Sequence, residues 1–395
     1  MRILTVLTYY RPHASGLTIY AERLAKALAR RGHQVTVMTS QYSADLPLDE
    51  MVEGVRVVRV PVAFRISKGV VMPHFGRMAT RLVRENDVVQ LHLPQFDAAG
   101  VALRGRMWKK PTIITYHCDL LMPPGLLSRA ANQGILLMNE LSARFAHRIV
   151  TNTRDYAEHS PFLNRYLDKL EVIPPPVELP PVTPGGVRAF ARNHNPENRS
   201  PVVGLASRFA TEKGVEVLLD ALPVILKEYP SLQVQFVGAY KNVVGEEAYF
   251  NRLYPRILEY EKAGIWNFLG FIPDAEMPAY FSNLDVLALP SLNSTESFGI
   301  VQIEAMINGV PTVASDLPGV RQPVKMHEMG KVFPVGDSAA LAHCVLEILG
   351  NRPAFIRDPQ PIQHQYLPDT IAESYERVFY EIMTEIGLTE QKIAH

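Results

Sequence analysis

Cysteine is nearly absent from this chain. Of 395 residues only Cys118 and Cys344 are cysteines, far apart and with no CxxC spacing. That excludes a disulfide-stapled scaffold and a zinc site built on cysteines, and it fits a reducing compartment. Long apolar runs are missing as well. No stretch reaches the roughly 18 apolar residues that a spanning helix needs. The apolar run at residues 3–7 is too short for a signal peptide and leads into Tyr9-Tyr10-Arg11-Pro12. The expected address is the cytoplasm. Net charge is also absent, with 40 Lys+Arg against 40 Asp+Glu, which weighs against a whole-chain nucleic-acid binder. With 47% hydrophobic and 20% charged residues the chain is not a disordered one.

The zero net charge conceals an asymmetry. Residues 1–175 hold 23 Lys+Arg and 14 Asp+Glu, and residues 176–395 hold 17 and 26. A basic half beside an acidic half suits a peripheral membrane protein or a binder of an anionic substrate, and equally two domains of different isoelectric point. The length, two to three times an ordinary domain, predicts two domains. Short β-type runs alternate with helical patterns, which predicts parallel α/β units. In the first half, strands are expected at 3–7, 35–39, 55–60, 88–91, 112–116 and 148–152, with helices at 17–31, 69–85 and 129–147. Residues 174–200, dense in proline, read as the linker. A second series has strands at 202–206, 232–237, 266–269, 286–289 and 310–314. Its helices are expected at 215–228, 249–263 and 300–308, and a tail helix at 370–386. Tandem doubly wound domains bind ligands at the carboxyl ends of their strands.

After the first strand there is one glycine, Gly16, where a dinucleotide fingerprint would have three, and no P-loop occurs. Gly16 precedes a helix, where a missing side chain lets a ligand approach backbone amides; an ordinary turn glycine is the plain alternative. The most informative stretch runs from Leu289 to Ala305. A strand ends at Pro290, a loop carries Glu296, and a helix starts near Gly299 with Glu304 in its early turns. The amides of Phe298, Gly299 and Ile300 are expected as unengaged donors for sugar or phosphate oxygens. A carboxylate such as Glu296 can stabilise developing oxocarbenium charge or hold hydroxyls. Arg208 and Lys213 follow the strand 202–206. A guanidinium fork plus an ammonium suits a pyrophosphate leaving group, and a solvated basic loop is the plain alternative.

These residues carry a resemblance. The elements Glu296…Glu304 and Arg208…Lys213-Gly214, the run Phe268-Leu269-Gly270-Phe271 and the segment from Asn308 to Ala314 resemble a family 4 retaining glycosyltransferase, over nearly the whole chain. The resemblance implies the GT-B architecture: two doubly wound Rossmann-like α/β domains facing each other across a cleft. It places an acceptor domain at 1–175, a donor domain at 176–369, and a C-terminal helix within 370–395 that crosses back to the first domain. It implies a nucleotide diphosphate sugar as donor, with UDP-sugar ahead of GDP-mannose. The hexosyl group goes to a glycan, lipid-linked or other hydroxyl acceptor in cell-envelope glycan or glycolipid synthesis. Arg208 and Lys213 would hold the diphosphate, Glu304 the ribose, and Glu296 the sugar. Groups near Phe271 and Ile272 would meet the base, and the amides of 298–300 the sugar and phosphate. His117, after the strand 112–116, would contact the donor sugar, and Asp119 would orient His117 or acceptor hydroxyls. Ser15 and Ser207 stand where the family often has glycine. There is no DxD motif, so no metal or other cofactor is expected.

Alternatives stay open at this point. An inverting GT-B transferase, a sugar-nucleotide epimerase, a phosphorylase and a non-catalytic nucleotide-sugar binding subunit share the architecture. Phe75, Met78, Ala79 and Leu82 among Arg77, Arg81 and Arg84 read either as an interfacial helix on anionic lipid or as a core-facing helix with a basic edge. The segment 123–127 reads as a cover for an acceptor groove or as a helix start.

Overall fold

The apolar runs become strands of two largely parallel sheets. In the computed structural model, residues 1–13, 15–66, 69–120 and 126–388 are described. They divide into two units: Met1–Pro176 together with the chain from Tyr366 onward, and Val177–Gln365. The expected groove residues Pro123, Pro124 and Gly125 lie outside the described residues.

The first unit holds β1 (Arg2–Val6), β2 (Gln34–Gln41), β3 (Asp49–Val52), β4 (Val55–Pro61), β5 (Phe64–Ile66), β6 (Gly69–Val71), β7 (Val88–Leu93), β8 (Thr112–Tyr116), β9 (Arg148–Thr151) and β10 (Leu170–Val172). Eight of these form one sheet in the order β10-β9-β8-β7-β1-β2-β4-β3, and β5-β6 is a separate hairpin. All pairings in the large sheet are parallel except β3 with β4. β7 and β8 are buried along their whole length, as expected of strands covered on both faces. The order of winding reverses between β1 and β7, so the loops after β1, β7 and β8 leave one neighbourhood of the carboxyl edge.

The second unit holds β11 (Val202–Ala206), β12 (Gln233–Val237), β13 (Trp266–Gly270), β14 (Val286–Leu289), β15 (Thr312–Ser315) and β16 (Gly330–Phe333). Its all-parallel order is β13-β12-β11-β14-β15-β16. The reversal here lies between β11 and β14, the strands that precede the loops carrying Lys213 and Glu296.

Three expectations are corrected. Residues 69–85 are not one helix: β6 comes first, and the helix is Phe75–Glu85. Its Phe75, Ala79, Leu82 and Val83 are buried and Met78 packs on the core, so the apolar face is not available to lipid. The proline-rich stretch 174–200 is not all linker, because it contains the helix Pro184–His194. Pro184 occupies the first turn, where no amide hydrogen is needed, and Thr183 caps it by accepting from Gly186 N at 3.1 Å.

The tail helix Pro368–Glu385 belongs to the first unit. Ile371, Ala372, Tyr375, Val378, Phe379, Ile382 and Met383 make its buried stripe, in one cluster with Tyr20, Leu24 and Leu28 of the helix Gly16–Arg30. Its acidic side answers basic residues of the first unit: Glu376 pairs with Arg31 at 2.7 Å and with His33 at 2.8 Å. Counted by unit, the charge asymmetry shrinks to 25 basic against 20 acidic residues in the first unit and 15 against 20 in the second.

Candidate active site

The second unit builds its candidate residues from two loops on neighbouring strands. One follows β11 and carries Arg208, Glu212, Lys213 and Gly214; the other follows β14 and carries Glu296. They meet backbone to backbone. Gly214 has φ +62°, and a Cβ there would stand 2.1 Å from the Pro290 carbonyl oxygen. Leu292 N donates to Glu212 O at 2.9 Å. Only glycine permits both the left-handed turn and that approach. The approach puts Lys213 Nζ 2.6 Å from Glu296 Oε2, with the two side chains 17% and 18% exposed.

The other carboxylate oxygen of Glu296 accepts from Gly299 N at 3.0 Å. The amide of Gly299 is therefore engaged by Glu296, which corrects its expected place as an unengaged helix-start donor. Gly299 has φ +76°, and a Cβ would lie 2.3 Å from Leu289 Cδ2. Gln302, fully buried in the helix Ile300–Met306, donates to the carbonyls of Phe298 at 2.9 Å and Val320 at 2.8 Å, which fixes the loop that presents Glu296. Arg208 leaves the carboxyl end of β11 as expected, but here its Nη2 donates to Glu212 Oε1 at 2.8 Å and the side chain is 46% exposed. Glu304 lies on the helix and is buried. Phe271, just past β13, is 74% exposed, and Ile272 packs against a core cluster.

In the first unit Gly16 is the first residue of the helix Gly16–Arg30, with Ser15 as its cap. Ser15 Oγ accepts from Thr18 N at 3.2 Å. Among the described residues nothing lies within 4 Å of where a Gly16 Cβ would be, so their packing does not demand a glycine there. His117, half-buried, follows β8. Its Nε2 lies 2.8 Å from His92 Nδ1. Burial pushes its pKa down to about 3, and that of His92 well below the ordinary value. Both imidazoles are neutral at physiological pH. Asp119 was expected to orient His117 or acceptor hydroxyls. Its carboxylate instead accepts from Tyr116 Oη at 2.9 Å and Ser160 Oγ at 2.8 Å. The group at His117 Nε2 is His92.

His92, Glu212 and Gln302 escape a reading of the sequence. His92 lies in an apolar strand 25 residues before His117; only the parallel register that pairs His92 with Thr115 brings the two rings together. Among the described residues no three His, Cys, Asp or Glu side chains converge as a metal-ion site, and no helix is long and apolar enough to cross a membrane.

Known proteins resemble this chain in sequence and in fold. Residues 187–359 match the family described as glycosyl transferases group 1, and residues 15–176 match a glycosyl transferase 4-like domain. The chain is 30% identical to the D-inositol 3-phosphate glycosyltransferase of Geodermatophilus obscurus, over 86% of this chain and 78% of that protein. It is 27% identical to the phosphatidyl-myo-inositol mannosyltransferase of Mycobacterium leprae, over 97% and 98% of the two chains. The fold is similar to that of Anabaena Alr3699/HepE in complex with UDP, with TM-score 0.74 at 20% identity, over 96% and 100% of the two chains. The chain belongs to the group 1, family 4 glycosyltransferases, and it is a hexosyltransferase of GT-B fold.

Proposed function

We propose that the chain transfers a hexosyl group from a nucleoside diphosphate sugar to a hydroxyl acceptor with retention at the anomeric carbon. The observation that carries this reading is the Lys213–Glu296 pair, held by two glycines that tolerate no side chain. The two charges face each other at 2.6 Å. A donor diphosphate would compete for Lys213, leaving Glu296 to face the sugar, and Arg208 would exchange Glu212 for phosphate oxygens. As the C1–O bond to the diphosphate breaks, its electron pair goes to the leaving group, which the cations neutralise. The acceptor oxygen forms the new bond to C1.

A double displacement through Glu296 and a same-face attack both give retention. We favour the second, with a donor phosphate oxygen taking the acceptor proton. With Lys213 drawn to the diphosphate, one oxygen of Glu296 still accepts from the Gly299 amide, which dampens that oxygen as a nucleophile. His117, Glu304, Phe271, Ile272 and the amides of Phe298 and Ile300 keep their proposed donor contacts, the Gly299 amide being given to Glu296, and no metal or other cofactor is assigned a role. UDP is the favoured carrier, with GDP next. The names of both curated relatives point to an inositol-bearing acceptor, free or lipid-borne. Arg77, Arg81 and Arg84 on the exposed side of the helix Phe75–Glu85 support attraction to an anionic lipid surface by charge alone. We place the protein in the cytoplasm or peripherally on its membrane face.

The test is thermal stability with UDP, GDP and their sugars, wild type against Lys213→Ala. A ligand at 100 times its Kd adds about 2.7 kcal/mol to the state it binds. One nucleotide series should stabilise the wild type and do so much less in Lys213→Ala. An equal shift in both proteins removes Lys213 from the donor site. No shift with any nucleotide at millimolar concentration overturns the proposed reading.

A further inference from the structure

One face of the first sheet carries a hydrogen-bonded polar stripe. Gln90 Oε1 lies 3.3 Å from Thr5 Oγ1, and Gln90 Nε2 lies 3.4 Å from Thr115 Oγ1. Thr115 Oγ1 is 2.8 Å from the Tyr375 hydroxyl, itself 2.8 Å from the Tyr20 hydroxyl. The stripe ends at the carboxyl edge in two imidazoles. His92 Nδ1 and His117 Nε2 are 2.8 Å apart; the rings lie edge to edge with centroids 5.1 Å apart and planes 17° apart. Tyr20 meets His117 edge-on, at 4.9 Å and 88°. His92 is 1% exposed, and its Nε2 is buried with no hydrogen-bond partner among the described residues.

Two neutral imidazole nitrogens at that distance share one hydrogen. If His117 donated from Nε2, His92 would carry its own proton on Nε2, as a buried N–H with nothing to receive it. If His92 donates from Nδ1, its Nε2 is a bare lone pair. Buried orphan donors are rarer than under-satisfied acceptors, and the second arrangement follows. We propose that His92 is a positioning residue that donates to His117 Nε2, holding His117 with its ring proton on Nδ1 and its plane fixed between His92 and Tyr20. A His117 so held carries its ring N–H at Nδ1, a donor of the kind a hydroxyl oxygen accepts from. Its use toward a sugar rests on the reading of His117 as a donor-sugar contact; the tautomer does not.

The experiment is long-range proton–nitrogen NMR on the full chain labelled with 15N-histidine, without ligand, the His117 signals being assigned by their loss in His117→Gln. The expected result is a protonated, pyrrole-like Nδ1 and a bare Nε2 on His117. A protonated Nε2 on wild-type His117 overturns the proposal, even should no His92 variant fold. In His92→Phe the Nε2 signal should move as its donor is lost. In His92→Asn, whose side-chain amide stands near the place of Nδ1, the wild-type pattern should return. Unchanged His117 signals in His92→Phe also overturn it. Turnover of UDP-glucose and GDP-mannose, one sugar on each of the carriers proposed above, is a separate arm. His92→Phe should lower kcat about tenfold, the scale of one lost hydrogen bond to the reacting complex, with His92→Asn restoring most of it. Unchanged turnover together with the expected spectra would overturn the sugar-contact role of His117 and leave the tautomer standing.

Discussion

At the scale of single residues, three glycines show how different demands produce the same amino acid. Gly214 and Gly299 have positive φ and no room: their Cβ atoms would meet a backbone oxygen at 2.1 Å and a leucine methyl at 2.3 Å. Gly16 has open space and sits in a helical first turn. Gly214→Ala should therefore cost about 2 kcal/mol or more in urea unfolding, because both strain and overlap must be relieved. Gly16→Ala should change stability by less than about 0.5 kcal/mol, while lowering kcat/KM at least about tenfold if a ligand approaches that backbone. Wild-type activity in Gly16→Ala would remove Gly16 from the site.

The two histidines give a second expectation at the same scale. Folded, His92 and His117 stay unprotonated well below pH 6.5; unfolded, they take up protons near that value. The unfolded chain thus binds more protons between about pH 6.5 and 3. Stability is fully present above about pH 6.5 and is lost as the pH falls, by up to about 1.4 kcal/mol per pH unit for each ring. Urea midpoints at pH 7, 6 and 5 measure this, and His117→Phe should flatten the slope by about one ring's share.

At the scale of elements, the tail helix Pro368–Glu385 does more than cover an apolar face. Tyr375 hydrogen-bonds Tyr20 and Thr115 from a fully buried position, so it ties the last helix to the first helix and to β8. Tyr375→Phe keeps the ring but leaves two buried hydroxyls short of a partner, at a cost of about 1–3 kcal/mol. A smaller loss in urea unfolding than in Ile371→Ala would show that the helix is held mainly by its apolar stripe. Its 3.6-residue period was legible in the sequence, and the family resemblance implied its return to the first unit. The residues it covers there were not legible, because periodicity gives a face and not its partner.

At the scale of the whole molecule, each unit has its own sheet and its own buried clusters. Unfolding should not follow a single two-state transition. Calorimetry should resolve two transitions, and the nucleotide should raise the one belonging to residues 177–365, which carry Lys213 and Glu296. A nucleotide that raises only the other transition would move the donor site to the first unit. The basic excess of the N-terminal half is partly illusory at this scale, since the acidic tail helix joins that unit.

The longer strands and helices of both units were written in the alternation of apolar runs, and the candidate chemistry in Arg208, Lys213, Glu296 and Glu304, because local pattern and residue type are properties of the chain itself. The helix Pro184–His194 was obscured because proline density counts against helices except in their first turn. Strands β3, β6, β10 and β16 are too short or too exposed to show a period. Only the tertiary structure decided which groups meet: that Lys213 pairs with Glu296, that Glu296 takes the Gly299 amide, and that His92 stands against His117. Those pairings depend on which strands become neighbours at a reversal of winding, and that choice is made by packing distant segments together rather than by any window of sequence.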